Sequence, residues 1–198
     1  RANGDLWLQT PNRLSLYKAS SRRWQYYNYG YDNAKNHINE ILQARDGVLW
    51  VATGYGLHIH RPGKPAETIY KINNTRLEGI TGLAEDREGN IWVSSGGNFS
   101  GAYRWDGSAW KYFGVREGLG KSRIHKIRSD RSGRLWFLTL QAFATETGEG
   151  AYIYDNGTFT QWSTAQGLLN NRVYAFVESP DSTRWFGTLA GISRWRNG

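Results

Sequence analysis

Short apolar segments, each containing a tryptophan, recur along the chain. Five such segments occupy residues 4–10, 47–53, 89–95, 133–139 and 182–188. Their tryptophans, at positions 7, 50, 92, 136 and 185, are 43, 42, 44 and 49 residues apart. Most segments begin at a glycine, pass through two or three apolar residues and end at threonine or serine. A period of about 40 to 45 residues with strand-like content is typical of stacked four-stranded antiparallel units. The pattern predicts five copies of one such unit.

Other apolar positions complete each copy. Apolar pairs lie twelve and nine residues before the tryptophan, at Ile38 and Ile41, Ile80 and Leu83, Ile124 and Ile127, and Val173 and Phe176. These pairs predict a buried innermost strand A, joined by a tight turn to the tryptophan strand B. Strand C is predicted to begin at Leu14, Leu57, Ala102, Ala151 and Ile192, and an aromatic outer strand D follows. The predicted fold is all-β, with β-propeller blades that are four-stranded antiparallel meanders.

Residues 1–198 are predicted to form a single β-propeller domain or a fragment of one. The first of the five copies lacks strand A, and the last lacks strand D. These two incomplete copies hold six strands, whereas a propeller usually closes its ring with one four-stranded blade completed from both termini. We therefore expect a fragment of a longer protein. A five-bladed ring with two three-stranded blades is the alternative.

Composition and charge narrow the class of protein. Aromatic residues make up 15% of the chain, which contains 24 glycines and only 4 prolines, as expected for many short strands and tight turns. Without cysteine, neither a disulfide nor a thiolate metal site is possible. The net charge of +8 is spread along the chain, so we predict a solvated basic surface and no nucleic-acid partner. No apolar run is long enough to predict a membrane span.

Loop lengths distinguish the two faces of the predicted propeller. The A-to-B and C-to-D turns are short throughout, whereas the loops on the other face vary in length. The B-to-C loop is minimal at Tyr55, longer at residues 96–100 and longest from Leu140 to Glu149. Variable loops on a rigid scaffold commonly carry binding sites. The loop-bearing face is the predicted binding surface.

Polar residues just before and within strand A are predicted to line the channel mouth on that face. They lie thirteen or eleven residues before a tryptophan, at His37, Asn39, Arg123, His125, Arg172 and Tyr174. The two arginines could hold a carboxylate, a phosphate or an acidic sugar. Phe99 and Phe143, predicted to be exposed, could stack on a ring of the ligand. Alternatively, the same polar groups only satisfy the backbone around a water-filled channel. No metal site and no cofactor are predicted.

One family pattern matches these residues. The motif Asp-x-x-Gly-x-Leu-Trp-x-x-Thr, followed by Gly-Leu, resembles the two-component regulator propeller repeat, and residues 47–57 are the nearest copy. Residues 167–173 resemble the lead-in to strand A of that repeat, whereas Ser182, Ser95 and an insertion in the fourth copy depart from the pattern. The resemblance implies a sensor domain on the periplasmic or extracellular side of the membrane, part of a bacterial two-component protein. It implies a small-molecule or carbohydrate ligand and no catalysis.

Two other functions remain open from the sequence. A Gly-x-Leu-Trp-Phe strand, as at residues 133–137, also resembles the repeats of lyases similar to streptogramin B lyase, which use a histidine base and a divalent cation. His125 would be the base here, but only Glu40 and Glu78 are acidic candidates in the channel. The other function is an interaction scaffold whose rim binds a partner protein or a second copy of the chain.

Overall fold

The computed structural model describes residues 4–10, 13–28, 37–142 and 147–196. Their strands form six antiparallel sheets, of which five are blades, each a meander of strands consecutive in sequence. Blade 1 contains β1 (Leu6–Thr10), β2 (Arg13–Lys18) and β3 (Arg23–Asn28). Blade 2 contains β4 (Ile38–Gln43), β5 (Leu49–Thr53), β6 (Gly56–His60) and β7 (Glu67–Ile69). A small hairpin of β8 (Lys71–Ile72) and β9 (Thr75–Arg76) follows blade 2.

The remaining sheets repeat this plan. Blade 3 contains β10 (Ile80–Glu85), β11 (Ile91–Ser95), β12 (Ala102–Trp105) and β13 (Trp110–Phe113). Blade 4 contains β14 (Ser122–Ser129), β15 (Leu135–Ala142), β16 (Ala151–Asp155) and β17 (Thr158–Trp162). Blade 5 contains β18 (Val173–Glu178), β19 (Arg184–Thr188) and β20 (Gly191–Trp195). The predicted all-β fold with propeller blades is confirmed.

Short 3-10 helices lead from blade 3 to blade 4 and from blade 4 to blade 5. They span Val115–Glu117 and Thr164–Gln166. At the start of each helix, the side chain at its third position binds the backbone N–H just before the helix: Glu117 accepts from Gly114, and Gln166 accepts from Ser163. The leucine that follows each helix, Leu119 or Leu168, is buried, so the lead-in to strand A is anchored in the core.

The repeated tryptophans occupy the equivalent strand, strand B, of every blade. Trp92 and Trp136 are fully buried, and Trp50 is 3% exposed. Each packs on the next blade: the ring of Trp92 lies 4.8 Å from that of Tyr154, and that of Trp136 lies 4.8 Å from that of Phe176. The apolar core of this propeller therefore lies between blades rather than within them.

The inner strands of successive blades contact one another in chain order. Contacts join β4 to β10, β10 to β14, and β14 to β18. This arrangement places residues from four copies of the repeat around a common axis. The loop predicted from Leu140 to Glu149 starts later than expected, because β15 continues to Ala142, which pairs with Ser122, the first residue of β14.

Candidate functional site

A β-bulge interrupts strand A at the same position in blades 2 to 5. The register of pairing shifts between Ile38 and Glu40, Ile80 and Gly82, Ile124 and Lys126, and Val173 and Ala175. The residues skipped by the pairing are Asn39, Thr81, His125 and Tyr174. Bulges redirect side chains and are common beside functional sites. All four residues lie eleven positions before the tryptophan, where the sequence predicted the channel mouth.

A charged cluster joins the inner strands of blades 2 and 4. The Oε2 atom of Glu40 in β4 lies 2.7 Å from Nζ of Lys126 and 3.1 Å from a terminal nitrogen of Arg128, both in β14. The three side chains are 18%, 21% and 37% exposed, so water reaches the cluster. One carboxylate faces two cations, which leaves one net positive charge. Sequence reasoning considered Glu40 only as a metal ligand and did not identify the two cations.

Close packing of blade 3 brings these distant strands together. Gly82 in β10 occupies the repeat position that Glu40 and Lys126 hold in their own blades. A Cβ atom at Gly82 would lie 2.2 Å from Oγ of Ser94 and 3.1 Å from a side-chain carbon of Ile127. Only glycine fits there, and its absence of a side chain lets β10 pack tightly between β4 and β14.

His125 belongs to the same cluster. Burial lowers the pKa of its imidazole, the charges of Lys126 and Arg128 lower it further, and Glu40 partly opposes the shift. The ring is therefore neutral at pH 7 and has one hydrogen-bond donor and one acceptor. Its Nδ1 atom lies near Gly96 in the variable loop of blade 3. The structure thus brings a predicted site residue beside the two cations.

Two predicted residues of blade 2 have structural contacts. The Asn39 side chain donates a hydrogen bond to the carbonyl oxygen of Ile80 in the next inner strand, at 2.8 Å. The carbonyl oxygen of His37 accepts from the backbone of Gly54 at 3.0 Å. Both residues are half-buried. Asn39 therefore links neighbouring blades.

The remaining polar residues lie at or near the start of the inner strands of blades 4 and 5. Arg123 and Arg172 are half-buried, and Tyr174 is 43% exposed. The backbone of Arg172 is held at both ends: its N–H donates to Oδ1 of Asn170, and its carbonyl oxygen accepts from Leu189. Two backbone hydrogen bonds therefore hold Arg172 just before strand A of blade 5.

The predicted exposure of Phe99 is wrong. Its side chain is 8% exposed and belongs to the core between blades 2 and 3, with its ring 5.4 Å from that of Tyr103. Burying a phenylalanine side chain is favourable by about 1.5–3 kcal/mol, and the neighbouring core offers that contact. Phe99 is therefore unavailable for stacking on a ligand. Phe143, the other predicted stacking residue, lies outside the described residues.

Residues 77–97, which contain the inner two strands of blade 3, match the family model described as the two component regulator propeller. The chain carries the two-component regulator propeller repeat. The repeat predicted from the sequence is confirmed over these residues, and the neighbouring blades have the same strand order. No curated protein matches the chain.

Solved structures share the fold of these propeller repeats. The chain resembles the extracellular domains of BT3049 and BT4673 from B. thetaiotaomicron, both assigned as hybrid two component systems, with TM-scores of 0.75 and 0.70 and identities of 21% and 22%. Each likeness covers 98% of this chain and 26% of the other. Virginiamycin B lyase from Staphylococcus aureus is also similar, with a TM-score of 0.68, 16% identity, and coverage of 99% and 67%.

Over the described ranges, no helix combines the length and apolar character needed to cross a bilayer. Within those same ranges, histidine and acidic side chains do not gather in groups of three or more that could hold a metal ion.

Proposed function

We propose that this chain is a non-catalytic sensory propeller on the periplasmic or extracellular side of the membrane, in a bacterial hybrid two-component protein. The repeat and the likeness to extracellular domains of two-component systems support the sensory role. Because the chain spans about a quarter of those relatives, the output of the whole protein is part of the proposal.

The proposed ligand is a small acidic molecule, such as an acidic sugar, bound at the channel mouth. The observation that carries this proposal is the net positive cluster of Lys126, Arg128 and Glu40 beside the neutral ring of His125. A ligand carboxylate could share the two cations with Glu40, and charge-assisted hydrogen bonds are the strong ones. Arg123 and Arg172, at or near the start of neighbouring inner strands, would extend the site.

Calorimetric titration with galacturonate and with galactose tests the proposal. The two sugars differ in one carboxylate, so we expect tighter binding of galacturonate. Replacing Arg123 and Arg172 together with alanine should weaken galacturonate binding by about 2 kcal/mol or more and leave galactose binding unchanged. Arg22→Ala with Arg23→Ala, at the short turn of blade 1, is the matched control. Equal affinities for the two sugars, or an equal effect of the control, would mean that this face is not the acidic-ligand site.

A lyase activity is the second candidate because of the likeness to virginiamycin B lyase. His125 is the only candidate base that sequence reasoning named, and its lowered pKa leaves it neutral at pH 7. Incubation with virginiamycin B, followed by mass spectrometry, distinguishes the two functions. We expect no ring-opened product. If the natural protein forms this product and the His125→Ala variant does not, an enzymatic function replaces the sensory proposal.

A further inference from the structure

A groove separates blades 1 and 2, away from the charged cluster. Its cavity volume is about 460 Å³, compared with about 230 Å³ between blades 2 and 3 and about 110 Å³ between blades 3 and 4. Its lining includes three rings and three cations, at Trp7, Tyr27, His60, Lys18, Arg61 and Lys64. We call this cavity the blade 1–2 groove. Its volume is in the range of small-molecule sites.

At the interfaces between blades 2 and 3 and between blades 3 and 4, a pair of aromatic rings narrows the equivalent space. In blade 4, Tyr154 and Phe159 are paired across β16 and β17, and both rings pack against Trp92 of blade 3 at 4.8 and 6.1 Å. In blade 3, Trp105 and Trp110 are paired in the same register.

The ring of Trp110 lies 6.2 Å from that of Trp50 in blade 2. The aromatic pair of the following blade therefore contacts the tryptophan at both interfaces, through two rings at Trp92 and through Trp110 at Trp50.

Blade 2 lacks this aromatic pair. His60 lies opposite Leu49, as Tyr154 lies opposite Leu135 in blade 4, so a smaller ring replaces the first member of the pair. Continuing the register of β6 and β7 places Ala66 opposite His60, so the second ring is missing. Trp7 is accordingly only half-buried. The groove results from two departures from the repeat at one interface.

Three rings form one wall of the groove. The ring of Tyr27 lies 5.6 Å from that of Trp7 and 5.2 Å from that of His60, in tilted and edge-on arrangements. Burial lowers the pKa of His60, so its imidazole is neutral at pH 7 and contributes an aromatic surface. A flat ring inserted here would meet the same kind of surface that Trp92 offers to the rings of blade 4.

The polar part of the groove is positively charged. Lys18, Arg61 and Lys64 line it, and no carboxylate belongs to its lining in the described part of the chain. Lys18 and Arg61 also contact Asp5 and Glu67, which lie outside the lining. An anionic group inside the groove would therefore have cations beside it and no acidic side chain directly against it.

We propose that the blade 1–2 groove binds a small planar aromatic anion. Its ring takes the place of the aromatic side chain that blade 2 lacks, and its carboxylate lies against Lys18, Arg61 and Lys64. The site is separate from the proposed channel-mouth site, because none of its lining residues belongs to the inner-strand cluster.

Calorimetric titration with three probes at matched ionic strength tests the proposal. The probes are indole-3-acetate, which has ring and charge, indole, which has only the ring, and acetate, which has only the charge. We expect indole-3-acetate to bind at least tenfold more tightly than either of the others. Affinity for indole-3-acetate no greater than for acetate would overturn the proposal, because the ring would then contribute nothing.

Two variants locate the binding. Ala66→Phe restores the missing ring and should weaken indole-3-acetate at least tenfold, whereas Ala109→Phe, at the exposed position just before the outer strand of blade 3, should have no effect. Lys64→Gln should weaken indole-3-acetate but not indole. Unchanged binding in Ala66→Phe would place the ligand elsewhere and overturn the proposal. Because Lys64 is exposed, Lys64→Gln keeps the test valid if Ala66→Phe fails to fold.

Discussion

At the scale of single residues, one position in each short A-to-B turn requires a left-handed backbone conformation. Gly47, Gly89 and Gly133 have φ angles of 85°, 88° and 75°, in the left-handed region that glycine adopts readily. Ser182 occupies the equivalent position in blade 5 with a φ of 61°. A side chain in this conformation is strained, so blade 5 contains a turn that the sequence weakens.

We expect Ser182→Gly to stabilise the protein. Relief of the left-handed strain exceeds the extra entropy of glycine in the unfolded chain, and the net gain should be about 0.5–1 kcal/mol. Denaturant unfolding of both proteins measures the difference. Ser132→Gly, one position before the turn glycine of blade 4, is the control and should lower stability. If both variants lower stability, the turn is not strained at Ser182.

At the scale of the structural element, the A-to-B turn and the tryptophan strand form one hydrogen-bonded unit. Nε1 of Trp92 donates to Asp86 at 2.8 Å, and Nε1 of Trp136 donates to Asp130 at 3.0 Å. The carboxylate also accepts from the turn backbone, as at Asn90 N in blade 3. The aspartate of the sequence motif therefore has a structural role in these blades.

Blade 2 breaks this unit, because Ala44 stands at the aspartate position. The buried Nε1 of Trp50 has no acceptor among the described residues. We expect Ala44→Asp to stabilise the protein by about 1 kcal/mol, since an unsatisfied buried donor gains a partner. Chemical denaturation of the variant and of Ala44→Val, which adds bulk without an acceptor, measures the effect. A loss of stability in both would show that the site has no room for the side chain.

The interface between blades supplies the second prediction at this scale. Trp92→Ala should lower the free energy of unfolding by about 3–5 kcal/mol, because a fully buried indole is removed from contact with blade 4. Trp185→Ala is the control: Trp185 is half-buried, so its loss should be markedly smaller. Urea unfolding curves of the two variants give the comparison. Similar losses would contradict the inter-blade origin of the core.

At the scale of the whole molecule, the blades are joined on two sides. On the short-turn side, Arg45 binds Glu85 and the backbone of Asp86 in the next blade, and Arg87 binds the backbone of Ser132 in the blade after that. Around the axis, Glu40 of blade 2 contacts Lys126 and Arg128 of blade 4, which lie 86 and 88 positions later in the sequence. Long-range charge contacts thus couple blades that are not neighbours.

Glu40→Gln tests this coupling through His125. Glu40 raises the pKa of His125 against the effects of burial and of the two nearby cations. Removing the negative charge should therefore lower that pKa further, so the neutral ring persists to lower pH. NMR titration of the His125 ring measures the change. Glu78→Gln, which alters the ion pair with Arg76, is the control and should leave His125 unchanged. A rise in the pKa of His125 after Glu40→Gln would contradict the electrostatic effect of Glu40 on that ring.

The sequence by itself determined the strands, their order within each blade and the equivalence of the tryptophans, because these depend on local alternation, turn residues and a repeated spacing. The sequence also indicates the bulges. The apolar pairs of strand A are three positions apart, whereas an uninterrupted strand buries positions two or four apart. Only the tertiary structure decided that Phe99 is buried, that Glu40 meets Lys126, and that His60 and Ala66 leave a groove beside Trp7. Each of these depends on side chains from different blades, whose distances are set by how the blades pack and not by the order of residues within one repeat.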